Sequence, residues 1–518
     1  MKKIDRREFI KAGAAGTLAV AVGSNILTSC AHEAAGIKPS VLGAGMGGYF
    51  EKNFGMDSGV LRSAIRQGMS KGGDFCEIFL QHRVRDYIGY EDGQVNRAYA
   101  DIDLGAGVRV LKGEQTGYAY TEELTPKSLK RAAETAAAIA SGTPGNFTGS
   151  FKGEKIPDMY ERKRVWIHVA PDRKIAIARK VGDKMPSLDK AIIKSSVWFG
   201  DEDEVMAVAN SDGLFVEDTR PMTFIYATCV AERNGRRETN WHSRSQRKGP
   251  GYYHPDSFLE KIAKQAVRKT MLLFDAVEPP AGEMPVVLAP GTSGILLHEA
   301  MGHGFEADFN RKKTSIYSTM MGKKIAPPFV TIVDTALVPG ARGSINVDDE
   351  GTPGQRTVLV ENGKLVSYMH DRISAGYFKV KRTGNGRRES FRYIPIPRMR
   401  ITTMESGPDD PEEIVKSVKK GIYAENFSNG QVTIGAGDYS FYVKVGYMIE
   451  NGKITAPIKD VNLVGNGPDT LSKVVMVGND EKIEEGGGTC GKEGQGVPVG
   501  FGLPTVKVSS ITVGGVKS

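Results

Sequence analysis

Apolar and polar positions alternate in two different rhythms along this chain, and the balance between them changes near residue 276. Before that point both periods occur. The run from Asp74 to Gln81 reads as a strand, and Tyr87 to Tyr90 leads into Asp92 and Gly93, the residue pair of a tight hairpin tip. Thr125 followed by Pro126 marks a helix start. Leu129, Ala132, Ala133, Ala136 and Ile139 supply its apolar stripe, and Gly142 and Pro144 end it. A second helix is predicted from Asp256 to Phe274. The stretch "AVEPPAGEMP", Ala276 to Pro285, then breaks both periods and reads as a linker.

Beyond the linker the pattern is mostly of period two. Val286 to Ala289 and Phe329 to Asp334 are strand-like, and Asn-Gly pairs at Asn362 and Asn451 sit between alternating runs as hairpin tips. Only the segment opening at Ile295 and the one from Pro411 to Lys420 look helical there. Helix and strand are segregated rather than alternating, so the fold class is α+β, and no short-period repeat is visible. The expected organisation is a signal region (1–30), a flexible segment (31–54), a mixed α+β N-terminal domain (55–275), the linker (276–285) and a β-rich C-terminal domain (286–518) that carries the helix of the candidate site.

Composition places the chain among globular proteins: 518 residues, 40% hydrophobic and 25% charged. Of the net charge of +8, +3 belongs to residues 1–29, which leaves +5 on the remainder. That is too little to argue for a nucleic-acid partner. Basic clusters such as Arg236 with Arg237, or Arg311 with Lys312 and Lys313, read as solvated surface.

The first thirty residues carry their own pattern. "DRREFIK" (Asp5 to Lys11) resembles a twin-arginine export signal, and the apolar stretch from Ala12 to Val22 is too short to span a bilayer. "LTSC" (Leu27 to Cys30) matches a lipoprotein cleavage box. The expectation is therefore export and a membrane anchor through acylated Cys30. Cys76 and Cys229 lie in strand-like runs and read as small core thiols, with a disulfide between them permitted by an oxidising compartment. Four cysteines in a chain of this length exclude a disulfide framework.

The candidate chemistry lies in "HEAMGH", His298 to His303. In the common H-E-x-x-H arrangement, histidines at i and i+4 share one helix face and one metal ion. Here the spacing is i and i+5, which in a regular α-helix turns the two rings about 140° apart. Either a π-type turn closes that angle or the helix breaks at Gly302. Two imidazoles at that spacing with a carboxylate between them suit zinc, and Glu299 is placed to take a proton from a water molecule and give it to a leaving amine. A third ligand must come from elsewhere. Cys490, in the glycine-rich "GGGTCGK", is one candidate, and His370, Glu306 and Asp308 are the others. A thiolate with two imidazoles favours zinc over magnesium or calcium.

These motifs carry a family resemblance. "HEAMGHGFEADFNRKKTS", "INVDDEGTPGQRTVLVENG" from Ile345, "TGNGRRES" from Thr383, "NLVGNGPDTL" from Asn462 and "GTCGKEGQGVPVGFGLPTVKV" from Gly488 resemble the TldD/PmbA family of metallopeptidases, as do "GDFCEIFLQ", "DLGAGVRVL" and "NSDGLFVED" in the first half. The resemblance runs from about Gly55 to the C-terminus. It implies zinc-dependent peptidase activity, metal ligands His298, His303 and Cys490, and Glu299 as the catalytic carboxylate. With its intact zinc motif the chain resembles the catalytic TldD-type branch. The resemblance further implies a dimer, either of identical chains or with a related non-catalytic subunit. Export would set this chain apart from a family whose members are mostly cytoplasmic.

One departure stands in "PIPRMRITTM", where Arg400 and Ile401 replace the family's usual residues close to Arg398. Arg387, Arg388 and Arg398 are candidate substrate contacts, since guanidinium groups bind peptide carboxylates and carbonyls. The acidic turn Asp348, Asp349, Glu350 lacks the ligand spacing of a calcium loop and reads as a structural turn. Two other functions remain open at this level: a non-catalytic modulator, since the family is associated with modulation of DNA gyrase, and a metal-dependent amidohydrolase acting on small molecules.

Overall fold

The computed structural model describes residues 40–41, 48–140, 142–145, 147 and 149–515. Residues 1–30, with the expected signal and Cys30, lie outside the described residues.

The N-terminal half is one six-stranded antiparallel sheet with helices on one face. In chain order its main elements are α1 (Ser58–Met69), β1 (Phe75–Glu91), β2 (Gln94–Lys112), β3 (Gln115–Thr121), α2 (Pro126–Ala137), α3 (Pro171–Leu188), β4 (Ile192–Asn210), β5 (Phe215–Arg233), β6 (Arg236–Gln246) and α4 (Asp256–Leu272). The strand order is β3-β2-β1-β4-β5-β6. Asp92 and Gly93, both at positive φ (46° and 86°), form the tip between β1 and β2 that the sequence signals. The Thr125 hydroxyl accepts a hydrogen bond from the Ser128 amide and so caps α2, with Pro126 at the first helical position.

Alternation along β1 divides the sheet between two neighbours. Ile78 and Leu80 pack with Leu61, Ile65, Leu129 and Ala133 of α1 and α2. Phe79, pointing the other way, packs with Val347 and Phe391 of the C-terminal half. Farther along the sheet, Val197, Phe199, Ile225 and Ala227 bury the stripes of α3 and α4. Cys76 and Cys229 are free thiols in separate clusters.

The C-terminal half is built from β7 (Gly282–Leu288), α5 (Gly294–Leu297), β8 (Ile332–Thr335), β9 (Arg356–Glu361), β10 (Lys364–Leu365), β11 (Ile401–Met404), α6 (Pro411–Lys416), β12 (Lys420–Thr433), β13 (Asp438–Glu450), β14 (Lys453–Ile458), β15 (Val461–Asn466), β16 (Lys482–Ile483), β17 (Gly488–Lys492), β18 (Gln495–Leu503) and β19 (Val506–Gly515). β12, β7, β19, β15 and β13 pair in that order, and β13 pairs back to β12, so these five strands close into a barrel. A second sheet has the order β10-β9-β8-β11-β18-β16, with β17 on β18. The expected Asn-Gly tips are present at Asn362 and Asn451, each at positive φ. Strand β7 begins at Gly282, inside the stretch read as a linker. Helix α5 lies between barrel and second sheet, with Leu296, Leu297, Ala300 and Met301 in one core with Val286, Ile422 and Val499.

Buried ion pairs join the two halves. Arg109 donates to Glu77 (2.8 Å) and Glu350 (2.7 Å), Arg388 to Glu77 (2.6 Å), and Arg220 to Asp349 (2.8 Å). Asp348 accepts from the amides of Glu350, Thr352 and Gly386. The acidic turn is thus a structural joint, its carboxylates held by arginines and amides.

Candidate metal centre

The i and i+5 spacing of the histidines is accommodated by a π-helical turn. Helix α5 widens at His298–Gly302, and the His303 amide donates to the His298 carbonyl five residues back. One extra residue per turn brings the two rings onto one side, with centroids 5.3 Å apart. Gly302 permits this, because a Cβ there would stand 2.2 Å from Met399 Sδ.

The third member arrives from the far end of the domain. β17 and β18 form a hairpin turned at Glu493 and Gly494, with Cys490 opposite Val497. Its Sγ lies 3.3 Å from His303 Nε2. Ligand atoms of His298, His303 and Cys490 all fall within 4.8 Å of one another, and all three residues are buried. Burial raises the Cys490 thiol, but the neighbouring His298 and His303 outweigh it and hold the group at about 5, so thiolate prevails at neutral pH. The Nδ1 of buried His298 has no hydrogen-bond partner. A thiolate, two imidazoles and an unsatisfied ring nitrogen fit a zinc-sized soft-to-borderline cation.

Around this cluster sits a set of charges in which Glu306 and Asp308, expected as rival metal ligands, take other partners. Glu306 Oε2 accepts from His303 Nδ1 at 2.9 Å, which leaves Nε2 to face Cys490. Lys492 Nζ pairs with the same Glu306 oxygen (3.1 Å) and donates to Asp308 Oδ1 (2.7 Å) and the Pro397 carbonyl (3.0 Å). Burial raises the Glu306 carboxyl, yet Lys492 and His303 outweigh it and bring it down to about 2. The available signals were the carboxylate three residues after His303 and the lysine two residues after Cys490. Of the rival ligands, Glu306 and Asp308 are therefore engaged behind the cluster. His370 packs instead against Tyr368 and Phe378.

Glu299 is partly exposed, with Oε2 3.8 Å from His303 Nε2. It lines a cavity of about 420 Å³ together with His303, Phe309, Gln431 and Lys492. The three arginines expected on the substrate side are buried among protein groups. Arg387 donates to the carbonyls of Met399 and Pro498 (2.5 and 2.7 Å), and Arg388 spends its donors on Glu77, Asp349 and Tyr118. Arg398 donates to the Cys490 and Gln495 carbonyls and so clamps the hairpin that carries the cysteine. Arg400, the departure from the family pattern, is likewise internal, 2.7 Å from Asp334 Oδ1.

A buried histidine–cysteine cluster of this kind is a candidate metal site, and comparison with known proteins identifies the family that carries it. Residues 76–140, 166–274 and 281–515 match, in turn, PmbA/TldA metallopeptidase domain 1, the central domain and the C-terminal domain. The chain is 38% identical over 448 residues to the metalloprotease TldD homolog of Buchnera aphidicola subsp. Acyrthosiphon pisum, covering 85% of this chain and 93% of the relative. It is 37% identical over 453 residues to the Haemophilus influenzae TldD homolog, with the same coverage. Among solved structures it superimposes on TldE from Thermococcus kodakarensis (TM-score 0.68, 20% identity, 88% of this chain and 100% of that one). It also superimposes on a Thermotoga maritima protein named for modulation of DNA gyrase (TM-score 0.70, 22% identity, 85% and 96%). The chain belongs to the PmbA/TldA metallopeptidase family.

That kinship corrects the expected localisation. The likeness to the TldD homologs, of a family taken above as mostly cytoplasmic, speaks against twin-arginine export and a lipid anchor at Cys30. The export reading is withdrawn.

Proposed function

We propose that the protein is a zinc-dependent peptidase of HExxxH type, with His298, His303 and Cys490 as metal ligands and Glu299 as general base, acting on peptides or unfolded segments. The observation that carries this reading is the convergence of three buried ligand atoms within 4.8 Å beside a carboxylate open to a cavity. A zinc ion held there supplies Lewis acidity toward a peptide carbonyl. Glu299 takes a proton from the attacking water and passes it to the departing amine nitrogen. Glu306 keeps the His303 proton on Nδ1, and Lys492 and Arg398 fix Glu306 and the Cys490 hairpin in turn. The family resemblance adds a dimer to this proposal.

Glu299→Gln keeps the shape of the side chain and removes its basicity. Metal content measured by mass spectrometry should stay at one zinc per chain, while peptide turnover falls by on the order of 100-fold or more. Wild-type turnover in that variant would remove Glu299 from the base role. Hydrolysis of small amides but not of peptides would replace the peptidase reading with that of an amidohydrolase.

A further inference from the structure

Another cavity, of about 1050 Å³, lies where the loop before α3, the end of β6 and the loop after β8 meet, and it shares no lining residue with that of Glu299. Its wall is basic. Lys163, Arg164, Arg247 and Lys248 line it, with His168 beside them, against one carboxylate, Glu161, which stands 3.1 Å from Lys163 Nζ. Arg247 is only 4% exposed, yet its Nε and Nη1 have no hydrogen-bond partner. Half-buried Arg164 likewise leaves Nε and Nη2 without one, while its Nη1 donates to Tyr49 Oη at 2.5 Å. Other buried arginines of this chain meet carboxylates, Arg109 on Glu77 and Glu350 and Arg400 on Asp334. Here the carboxylate that feels the charge of Arg164, Asp203, spends its oxygens on the amides of Val165, Trp166 and Ile167.

We propose that this cavity binds a phosphate-bearing small molecule, its phosphate held by Arg247 and Arg164, with exposed Lys163 and Lys248 adding charge at the rim. A buried cation without a counter-charge is costly, and a guanidinium fork matches the oxygens of a phosphate. Both forks are oriented before a ligand arrives. The Arg247 guanidinium lies over the Tyr160 ring at 5.2 Å, and Tyr160 is fixed in turn by donating to Asp218 (2.6 Å). Arg164 lies over the Tyr49 ring at 5.4 Å. Two forks favour a phosphate over a single carboxylate, because a phosphate offers three acceptor oxygens and more than one negative charge. The volume exceeds the needs of inorganic phosphate alone and suits a ligand of nucleotide size, for whose remainder Val165, Pro250 and Tyr252 supply an apolar wall. None of these residues belongs to the metal cluster, so the inference does not depend on the peptidase chemistry.

The test is isothermal titration calorimetry on the full, zinc-loaded chain, with pyrophosphate, ADP and adenosine as probes. Pyrophosphate and ADP should bind at one site per chain, and adenosine should not. Tighter binding of ADP identifies a phosphate ester as the ligand, whereas equal binding identifies free polyphosphate. Arg247→Gln should weaken both by about 10- to 100-fold, as loss of a hydrogen bond between charged groups does. Arg164→Gln, at a half-buried position, should do the same with circular dichroism and zinc content unchanged, and it keeps the test decisive where the Arg247 variant fails to fold. Arg247→Lys retains the charge without the fork and should recover only part of the affinity. No binding of either phosphate probe would overturn the proposal, as would adenosine binding as tightly as ADP. Affinity unchanged in the arginine variants would overturn it too, by placing the phosphate elsewhere, the metal centre included. A poly-glutamate peptide that binds more tightly than ADP and displaces it would assign the cavity to an acidic segment instead.

Discussion

At the scale of single residues, the candidate site was legible where chemistry is carried by close neighbours in sequence and obscure where it is carried across the fold. His298, Glu299 and His303 declare themselves by type and spacing. Glu306 showed itself only as a rival ligand, and the structure instead places its oxygen on His303 Nδ1. Arg387, Arg388 and Arg398 mislead for the opposite reason, since burial amid carbonyls and carboxylates leaves no mark on a sequence of charged residues. Two outcomes follow. Cys490→Ser replaces a thiolate by a hydroxyl that stays protonated at neutral pH, so zinc retention on dialysis against a chelator should fall sharply. Glu306→Gln should lower metal affinity by about 10- to 100-fold, as loss of an orienting carboxylate does, and a competition titration with a chromogenic chelator measures it.

At the scale of elements, strand and turn chemistry were read more readily than helix. The Asn-Gly and Asp-Gly tips and the capped helix at Thr125 stand where the pattern puts them. Helix α3 was not read, because Pro186 lies inside it and Lys174, which pairs with Asp201 (2.8 Å) and Asp86 (2.6 Å), occupies a buried position. Strand β4 hides in a similar way. Its run Asp201, Glu202, Asp203, Glu204 looks like a solvated loop, yet Asp203 accepts the amides of residues 165 to 167 and Glu204 pairs with Arg220. The π turn is the element on which the site depends. Gly302→Ala would force a methyl against Met399, where overpacking costs about 1–3 kcal/mol. Thermal unfolding should show that loss, with a parallel drop in bound zinc if the strain is relieved by unwinding the turn.

For the whole molecule, the two halves are fastened by charge rather than by apolar area alone. Glu77 is fully buried between Arg109 and Arg388. Burial raises its carboxyl, but the two guanidiniums outweigh it and hold the group below the usual range. Such a group contributes stability above its unfolded value of about 4.3 and loses it as pH falls toward the folded one. Glu77→Gln should therefore cost about 3 kcal/mol at neutral pH in urea unfolding, as breaking a buried pair from one side does. The difference from wild type should shrink as the pH drops below about 4. An undiminished difference in acid would show that packing, not charge, is what the substitution disturbs.

The hairpin that carries Cys490 also bears on how such a chain is made. Cys490 joins a histidine pair nearly two hundred residues upstream, and the strand that follows it, β19, is the one that joins β7 to β15 in the barrel. A ribosome makes these parts well after the histidine pair. Until they are made, the nascent protein holds an incomplete ligand set and an open barrel, and on the proposed reading it has no means of cutting unfolded segments. On the proposed peptidase reading, activity starts only once β17 to β19 are in place, so the order of synthesis acts as a built-in safety catch.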